Sequence, residues 1–383
     1  MQDKNESRQS VVDREKEPAG TLKFGKNTGF QIELRRRVDE FFANSDRKER
    51  DCPQMYVKTA ILLFSFWGLY FGLVCVAQSW WQVVPLCIAL GIVMAGIGFS
   101  IQHDGAHRAY SSSLWINRLM AMSLDLIGGS SYIWHWKHDV FHHTHVNIAG
   151  YDTDLEVGIF GRLAPSHPRL RFHHWQHYYI WILYGLLAIK WHFYDDFYSL
   201  ITGKIGDRSY PRPQGKNLAI FLVGKLFFLT FALVIPLLFH SIGLVLASYG
   251  LVAVTLGIML SVVFQLAHVV EEASFPIPVN EASLIENDWA IHQIETTVNF
   301  SRNNVFITWF LGGLNFQIEH HLFPNICHVN YPAISKVVEQ TCQEFGVKYN
   351  QHESLWAGFA SHFRWLRRMG IKDHHPEYST LAN

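Results

Sequence analysis

The amino-acid sequence predicts an all-α integral membrane protein built on four transmembrane helices arranged as two hairpins. Two observations predict this fold class. Four apolar segments are each close to the ~20 residues that a helix needs to cross a bilayer core, and histidines gather in three tight clusters on the flanks of these segments. Because ionisable groups are kept near a bilayer where they have a function, we also expect a cytoplasmic helical cap that holds a histidine-rich dimetal site.

The composition excludes several classes of protein. The 383 residues contain 32 Lys and Arg against 32 Asp and Glu, so the chain has no basic field for nucleic acid and no nucleic-acid partner is expected. The 28 Phe, 15 Tyr and 13 Trp are typical of chains whose aromatic rings lie at the lipid headgroups. The five cysteines include no CxxC pair, which indicates reduced thiols and not a disulfide scaffold.

The predicted spans follow one another in two close pairs. They cover about residues 59–77, 80–100, 218–239 and 244–266. Since only a few residues separate the members of each pair, each pair forms a hairpin and the chain returns to the side from which it entered. Arg35–Arg37 and other basic residues precede the first span, so the positive-inside rule makes this side cytoplasmic. Lys225, one or two turns into the third span, is expected to extend its ammonium group to the interface.

The chain is predicted to divide into three parts. Residues 1–56 form a cytoplasmic N-terminal tail that is disordered over residues 1–20. Within it, the pattern of Phe30–Phe42 predicts an amphipathic helix that lies on the membrane or packs on the rest of the protein. Residues 57–350 form the membrane domain, and residues 351–383 form a cytoplasmic C-terminal tail.

The first two histidine clusters have the spacing of metal ligands on a helix. His103-Asp-Gly-Ala-His107 follows the second span, and residues four apart share one helical face, so both imidazoles can reach one metal ion. In the second cluster, His138 and His142 repeat this spacing. His143 points about 100° away from His142 and can therefore serve a second metal ion or a bridging position.

The third cluster, Gln317-Ile-Glu-His320-His321, follows the fourth span. Gln317 stands where the second cluster has His138. An amide is a poorer ligand than imidazole, so Gln317 binds a metal weakly, binds it through water, or only forms hydrogen bonds. His268, just beyond the fourth span, is predicted as a further ligand, and Gln265, one turn earlier, as a contributor through water.

We interpret the remaining histidines near the apolar segments as residues that do not bind metal. The run His173-His174-Trp-Gln-His177 has helical ligand spacing, but no partner of the same kind occurs elsewhere, so we interpret it as an interfacial feature. It leads into Tyr178–Ala188, which is apolar but too short for a span and is interpreted as an interfacial or re-entrant helix. His135 and His145 flank the second cluster and are interpreted as supporting or surface groups.

The number and type of these side chains favour two metal ions. Sites rich in imidazole and free of thiolate suit iron, copper or zinc. Soluble di-iron proteins use Glu residues in Glu-x-x-His pairs, whereas Glu319 has no repeated partner here. A structural zinc site would not need eight nitrogen ligands, and this number leaves positions open for dioxygen or substrate. The predicted ligands are His103, His107, His138, His142, His143, His268, His320 and His321.

With these motifs the chain resembles the membrane fatty acid desaturase family, whose pattern is three histidine boxes distributed around two transmembrane hairpins. The resemblance covers about residues 22 to 350. A glutamine that opens the third box is similar to the front-end group and to bacterial linoleoyl-CoA-type acyl desaturases. The matching segments are His103–His107, His138–His143, Asn147, Trp289–Phe300, Gln317–His321 and Leu322–Pro324.

The resemblance implies a non-haem di-iron centre, held by the eight histidines, that uses dioxygen and two electrons to remove two hydrogens from an acyl chain. It implies that Asp152 and Asp154 orient ligands or meet a head group, with a surface turn as the equal alternative. The chain has no His-Pro-Gly-Gly haem motif of a fused cytochrome b5 domain. We therefore expect a separate ferredoxin or cytochrome b5 as electron donor and a bacterial inner membrane as location. The expected substrate is an acyl chain on coenzyme A, acyl carrier protein or a membrane lipid.

Two alternative functions stay open. Acyl hydroxylases and acetylenases share the three boxes, and the spacing of the ligands does not separate their reactions from desaturation. A metal-binding membrane sensor or transporter is the alternative from another class. A transporter would place polar or ionisable residues in mid-span, and the predicted spans contain little of this kind besides Lys225.

Overall fold

The computed structural model describes residues 22–26, 28–278 and 284–371, and helices dominate these ranges. The predicted disorder of residues 1–20 lies outside the described residues. In chain order the strands and α-helices are β1 (Lys23–Phe24), α1 (Phe30–Ala43), α2 (Pro53–Phe71), α3 (Trp80–Gly96), α4 (His103–Ala106), α5 (Leu114–Ala121), α6 (Ser123–Leu126), α7 (Ser131–Trp134), α8 (Gln176–Lys190), α9 (Asp196–Thr202), β2 (Lys204–Ile205), β3 (Arg208–Ser209), α10 (Lys216–Leu229), α11 (Ile235–Leu237), α12 (Ile242–His268), β4 (Leu284–Ile285), α13 (Trp289–Glu295), β5 (Asn299–Phe300), α14 (Val305–Phe310), α15 (Gln317–Leu322), α16 (Tyr331–Phe345), β6 (Gln351–His352) and α17 (Leu355–Gly370).

Shorter helical segments connect or extend these elements. The π-helical segments are Gly72–Val76, Ile97–Gln102, His135–His142, Trp191–Asp195 and Thr230–Val234. The 3-10 turns are Thr153–Leu155, Gly158–Phe160, Arg171–Trp175 and His328–Asn330.

Four of the described helices are long and apolar enough to cross a membrane. They are Pro53–Val76, Trp80–Ala106, Lys216–Leu237 and Ile242–His268, and we call them the first to fourth spanning helices. Proline at the first helical position fixes the start of the first, and a Ser79–Gln82 capping box starts the second. The first begins six residues earlier than the sequence predicts and so includes Lys58, and the second continues to Ala106, so that His103 lies in its last turn.

Small residues bring the fourth spanning helix close to its neighbours. A Cβ atom on Gly91 would lie 2.8 Å from the carbonyl oxygen of Val252, and a Cβ atom on Gly257 would lie 2.7 Å from that of Tyr184. These glycines allow backbone approach at two crossings, as in other membrane helix pairs. The second spanning helix and α8 therefore pack along the fourth, which aligns the ends that carry His103 and His268.

The segment predicted as interfacial or re-entrant forms α8, whose inner face includes Ile180 and Tyr184, while Ile182 and Leu186 are exposed. The prediction that Lys225 extends to the interface is wrong. Its side chain is buried, and its ammonium donates to the Asp196 carboxylate at 2.7 Å and to a backbone carbonyl at 2.6 Å. Because α9 supplies a carboxylate beside the third spanning helix, the ammonium is neutralised inside the protein and does not need the headgroup region.

Polar parts of the chain pack on the membrane helices and on each other. The helix predicted near Phe30–Phe42 is α1, and it docks on α13 and α16 through Phe30, Leu34 and Val38. Residues expected to form a C-terminal tail are instead packed as far as residue 371. Strand β6 pairs in parallel with β5, and α17 packs on α8 and α12, because its apolar face includes Trp365 and Leu366.

Candidate metal centre

The first histidine box lies at the end of the second spanning helix. A π-helical turn (Ile97–Gln102) precedes it, and π-helical turns occur frequently at functional sites. The short helix α4 then begins with His103, and His107 follows the helix as its C-cap residue. The two rings lie 4.7 Å apart between centroids, so the i, i+4 spacing brings both imidazoles to one place, as the sequence predicts.

The second box lies on a π-helix, and this changes how its histidines are divided. In a π-helix the backbone bonds join residues five apart, and the amide of His143 donates to the carbonyl of His138 at 3.0 Å. The Nε2 atoms of these two residues are therefore only 3.2 Å apart. His142 points elsewhere, toward His268, with a ring separation of 4.8 Å. His138 thus pairs with His143, while its ring also stacks on that of His142 at 5.1 Å, as the expected i, i+4 spacing allows.

The third box lies on α15, which is α-helical and completely buried. Its adjacent histidines diverge, as expected for neighbours on an α-helix. His320 faces the first box, with its ring 4.4 Å from that of His103, and His321 faces the end of the fourth spanning helix, with its ring 4.9 Å from that of His268.

All eight imidazoles predicted as ligands converge in one buried region, where seven of them form two adjacent groups and His143 lies between the groups. Within each group the candidate ligand atoms lie within 4.8 Å of one another. His143 lies between the groups: its Nε2 is 3.0 Å from that of His320, and its ring stacks on His321 at 4.2 Å. The first group is His103, His107, His138 and His320. The second group is His142, His268 and His321.

Outward-facing ring nitrogens have their own partners. His142 Nδ1 lies 3.0 Å and 3.1 Å from the two oxygens of the buried Asp152 carboxylate. His321 Nδ1 lies 2.9 Å from Gln293 Oε1, and His320 Nδ1 lies 3.3 Å from the Tyr331 hydroxyl. An outer hydrogen bond of this kind keeps the proton on Nδ1 and directs the lone pair of Nε2 inward, as in protein metal sites.

Two observations support the fit of metal ions to this donor set. The Nε2 atoms of His107 and His142 are buried without a hydrogen-bond partner. In addition, the Nε2 atom of His143 lies 3.2 Å from that of His138 and 3.0 Å from that of His320. Lone pairs that converge in a buried space need a cation between them. The residues therefore suit nitrogen-binding transition metals, with one position in each group.

The electrostatics keep most of these imidazoles neutral, which is the form that binds metal. Burial, together with the surrounding histidines, holds the pKa values of His143, His320 and His321 well below the ordinary value. His142 is the exception: burial opposes its charged form, but the carboxylate of Asp152 outweighs burial and raises its pKa. Asp152 thus orients His142 and is not part of a surface turn.

The two glutamines differ in position. Gln317 lies one turn before His321 on α15, and its amide nitrogen is 2.9 Å from His268 Nε2 and 3.2 Å from His321 Nε2. It therefore lies on the inner side of the second group. Gln265, one turn before His268, is buried with its Oε1 atom lacking a hydrogen-bond partner.

Histidines that the sequence analysis set aside lie outside both groups. His173 Nε2 is 2.8 Å from the carbonyl oxygen of Ile159, and the His177 ring packs on Phe363. His135 is half-exposed and lies 2.6 Å from Asp139, which is a supporting position. His145 is 3.4 Å from Arg208.

The sequence analysis gave no supporting role to several residues, although it named Asn147 and the segment that contains Gln293 as matching the family. Asp139 lies 3.5 Å from His107 Nδ1, and Gln293 donates to the backbone carbonyl of His143 as well as contacting His321. Asn147 donates its amide to the carbonyl of His268 at 2.8 Å. Asp139 follows directly after His138, which is a signal that could have found it, whereas Gln293 is distant from every box and only the fold brings it near.

The fold and the site together define an integral membrane protein with a buried cluster of eight imidazoles at the ends of its spanning helices. The sequence profile described as "Fatty acid desaturase" matches residues 79–353. The chain is 40% identical over 357 residues to the sn-1 linoleoyl-lipid 6-desaturase of Synechocystis sp., which covers 92% of this chain and 98% of that protein.

Two further relatives agree. The chain is 38% identical to the sn-1 linoleoyl-lipid 6-desaturase of Arthrospira platensis, over 91% of this chain and 94% of the relative. It is also 38% identical to the acyl-lipid (8-3)-desaturase of Physcomitrium patens, over 91% of this chain and 73% of the relative. The chain belongs to the fatty acid desaturase family, and it is an oxidoreductase that acts on fatty acyl chains in a membrane.

Proposed function

We propose that this protein introduces a double bond into the acyl chain of a membrane glycerolipid, at a non-haem di-iron centre held by the two imidazole groups. The observation that carries the proposal is the convergence of eight imidazoles whose ring nitrogens form closely spaced sets, with the Nε2 atoms of His107 and His142 buried without a hydrogen-bond partner. Under this proposal one iron is held by His103, His107, His138 and His320, and the other by His142, His268 and His321. His143 lies between them, and Gln317 contributes to the second position.

The chemistry explains why such a centre is needed. An unactivated methylene has neither an acidic proton nor a leaving group, so acid–base catalysis by side chains does not suffice. Two irons, when bound, supply with dioxygen and two electrons the oxidising power that removes two hydrogens from adjacent carbons. The contribution of the protein is to hold the metals, to exclude water and to fix one carbon–carbon bond of the acyl chain beside them.

Aromatic walls support this role. Trp134 stacks on His138 with ring centroids 4.3 Å apart, and Phe264 contacts His142 at 5.1 Å and His268 at 4.7 Å. These side chains make the surroundings of both groups apolar. Further from the imidazoles, an apolar cavity lies between the spanning helices, with Phe66, Met94, Phe228 and Val252 in its walls. An apolar environment of this kind suits an acyl chain and not a polar substrate.

The substrate class rests on the relatives. Two of them are named for desaturation of a linoleoyl group at the sn-1 position of a lipid, and the first is matched over nearly its whole length. We infer the same class of substrate here, an 18-carbon acyl chain on a glycerolipid, with the new double bond at position 6. Acyl chains on coenzyme A or acyl carrier protein are the competing substrates in the test below.

The proposal includes the two-hairpin topology and a cytoplasmic catalytic face. Residues 77–79 and 238–241 are the short connections between the paired spanning helices, and every imidazole of both groups lies at the opposite ends of those helices. Basic residues before the first spanning helix favour the cytoplasm for that side. The cyanobacterial relatives support a bacterial inner membrane, and a ferredoxin or cytochrome b5 type protein is the proposed electron donor.

The test is the fatty-acid profile of a bacterial host that expresses the chain together with a ferredoxin and contains linoleoyl lipids. Mass spectrometry of derivatised double bonds locates the product, and separate analysis of glycerolipids and thioesters identifies the carrier. We expect a new double bond at position 6 in the lipid fraction, absent in His320→Ala. A hydroxyl group or a triple bond would replace the proposed reaction, and a product that appears first in the thioester pool would replace the proposed carrier.

A further inference from the structure

A buried lysine of the first spanning helix takes no part in the proposed reaction. Lys58 is only 2% exposed, and ionisable residues inside spanning helices are costly and usually have a function. Its ammonium donates to the carbonyl oxygen of Trp309 and lies 3.1 Å from Nε2 of His328. The charged end of this side chain is therefore directed into the protein, toward the segment that follows the third box.

His328 connects this lysine to the first box. Its Nδ1 atom lies 2.9 Å from a carboxylate oxygen of Asp104, and its backbone amide donates to the same oxygen at 3.3 Å. Because an ammonium group can only donate, Nε2 of His328 must accept, and the ring proton must be on Nδ1. The order Lys58, His328, Asp104 therefore forms a directed chain of hydrogen bonds that joins a positive to a negative charge through a neutral imidazole.

The position of Asp104 determines which elements this series of hydrogen bonds connects. Asp104 is the residue after His103 and lies three residues before His107, and it is 1% exposed. The series of hydrogen bonds from Lys58 through His328 to Asp104 thus joins the first spanning helix and the segment after α15 to the turn that carries both proposed ligands of the first box. His320, on α15, must meet His103 and His107 with ring separations of 4.4 Å and 4.9 Å, so these two elements have to be held in register.

We propose that Lys58 and His328 are positioning residues that hold the His103–His107 turn in register with His320, a role that rests on the proposed di-iron function. Removing one partner of a buried charge pair leaves the other uncompensated. The turn would then shift or take up a different partner for Asp104. Outer hydrogen-bond partners of metal ligands typically contribute 10- to 100-fold in metal affinity. Lys58 acts on the turn that carries two of the proposed ligands, through His328 and Asp104.

The chain offers a matched control. Lys225 is a second buried lysine in a spanning helix, and its ammonium lies 2.7 Å from the Asp196 carboxylate. It donates to Asp196 and to the carbonyl oxygen of Gly128, and to no imidazole of either group. Lys225→Met therefore removes a buried charge without removing a hydrogen bond to a segment that carries the imidazoles.

The experiment compares iron-loaded wild type with Lys58→Met, Lys225→Met, Asp104→Asn and the double variant Lys58→Met/Asp104→Asn. The readouts are iron per chain, the rate of iron loss to a ferrous chelator, and the melting temperature of the iron-free protein. We expect Lys58→Met to lose iron at least about 10-fold faster than wild type, and Lys225→Met to stay within about twofold. The double variant leaves no unpaired charge, so we expect it to retain iron better than Lys58→Met alone.

Two results would overturn the assignment. One is equal iron loss from Lys58→Met and Lys225→Met, and the other is a double variant whose loss is the product of the two single effects. His328→Phe, which removes the ring's hydrogen bonds to both Asp104 and Lys58, is measured beside Lys58→Met and is expected to lose iron at least as fast. This second variant keeps the prediction testable if Lys58→Met does not fold.

Metal analysis of the same samples separates the remaining outcomes. A wild-type chain that binds no iron contradicts the proposed function, whereas a wild type with two irons whose release is unchanged in Lys58→Met contradicts only the positioning role. Asp104, Cys327 and His328 also bring three possible ligand atoms within 4.8 Å of one another. One zinc ion per chain that disappears in Cys327→Ser would replace the hydrogen-bonded chain by a third metal site.

Discussion

Asp152→Asn is the substitution whose effect can be followed most closely from the structure. Both oxygens of the Asp152 carboxylate accept hydrogen bonds. His142 Nδ1 lies within reach of both oxygens, the backbone amide of Asn147 donates to Oδ2 at 2.9 Å, and the backbone amide of Asp154 donates to Oδ1 at 3.0 Å. Asparagine keeps the shape but replaces one oxygen by an NH2 group, so in either orientation one buried backbone donor faces another donor.

The substitution is expected to have two separate effects, one on stability and one on metal binding. A buried donor left without an acceptor costs about 1–3 kcal/mol, which lowers the stability of the iron-free protein. Loss of the carboxylate also removes the negative charge that raises the pKa of His142, and with it the basicity of that ligand. Loss of such an outer partner typically weakens metal binding by 10- to 100-fold.

The assay measures the melting temperature of the iron-free protein and the rate of iron loss to a chelator. Asp195→Asn is the control, because this carboxylate forms a surface ion pair with Lys190 at 2.7 Å, and such pairs contribute less than about 1 kcal/mol. We expect Asp152→Asn to melt earlier and to lose iron faster, and Asp195→Asn to behave as wild type. Wild-type iron retention in Asp152→Asn would refute the orienting role of this carboxylate.

Three further predictions address the ligands, the backbone and proton linkage. His143→Ala abolishes desaturation while the protein stays membrane-inserted, whereas His174→Ala keeps full activity; a fatty-acid profile checks both. Gly312→Ala lowers the melting temperature, because the new Cβ atom would lie 2.2 Å from the carbonyl oxygen of Phe99 and the residue has a φ of +61°. A left-handed backbone alone costs a non-glycine residue about 1–3 kcal/mol. Gly250→Ala, where the Cβ atom has open space, is the neutral control. Burial lowers the pKa values of His167 and His362 to about 4, below about 6.5 in the unfolded chain, so their contribution to stability is present above pH 6.5 and is lost as the pH falls toward 4; melting temperatures that stay constant over this range would contradict it.

The convergence of the eight imidazoles could be predicted from the sequence because its signal is local. Histidines at spacings of four or one, beside apolar segments, identify His103, His107, His320 and His321 without knowledge of the fold. Which histidines of the second box lie closest together could not be predicted, because it depends on π-helical geometry at His135–His142. In that geometry each backbone amide donates to the carbonyl five residues earlier, and no residue pattern in the box distinguishes this π-helix from an α-helix.

Buried charges were the main failure of the sequence analysis. Lys225 was expected at the interface, and Lys58 fell outside the predicted first span. Their partners, Asp196 and Asp104, lie 29 and 46 residues away along the chain, and Lys58 reaches Asp104 only through His328. Hydropathy records the cost of burying an ammonium group but not the presence of a carboxylate that compensates it.

Long-range packing explains the remaining differences. Residues 351–383 were predicted to form a cytoplasmic C-terminal tail, yet β6 pairs with β5 and Trp365 donates from its indole to the carbonyl oxygen of Leu163 at 2.8 Å. These contacts connect segments that are 52 and 202 residues apart in sequence. The apolar face of α17 is visible in the sequence, but the surface that receives it exists only after α8 and α12 have packed together.

The most direct test of the central claim is the metal content of the purified wild-type chain, measured beside His268→Ala. The two-group arrangement predicts two iron ions per wild-type chain. It also predicts selective loss of the ion held by the second group in His268→Ala, so that about one iron remains. Wild-type protein with one iron or none, or a His268→Ala variant that retains two, would contradict the assignment of eight imidazoles to a di-iron centre.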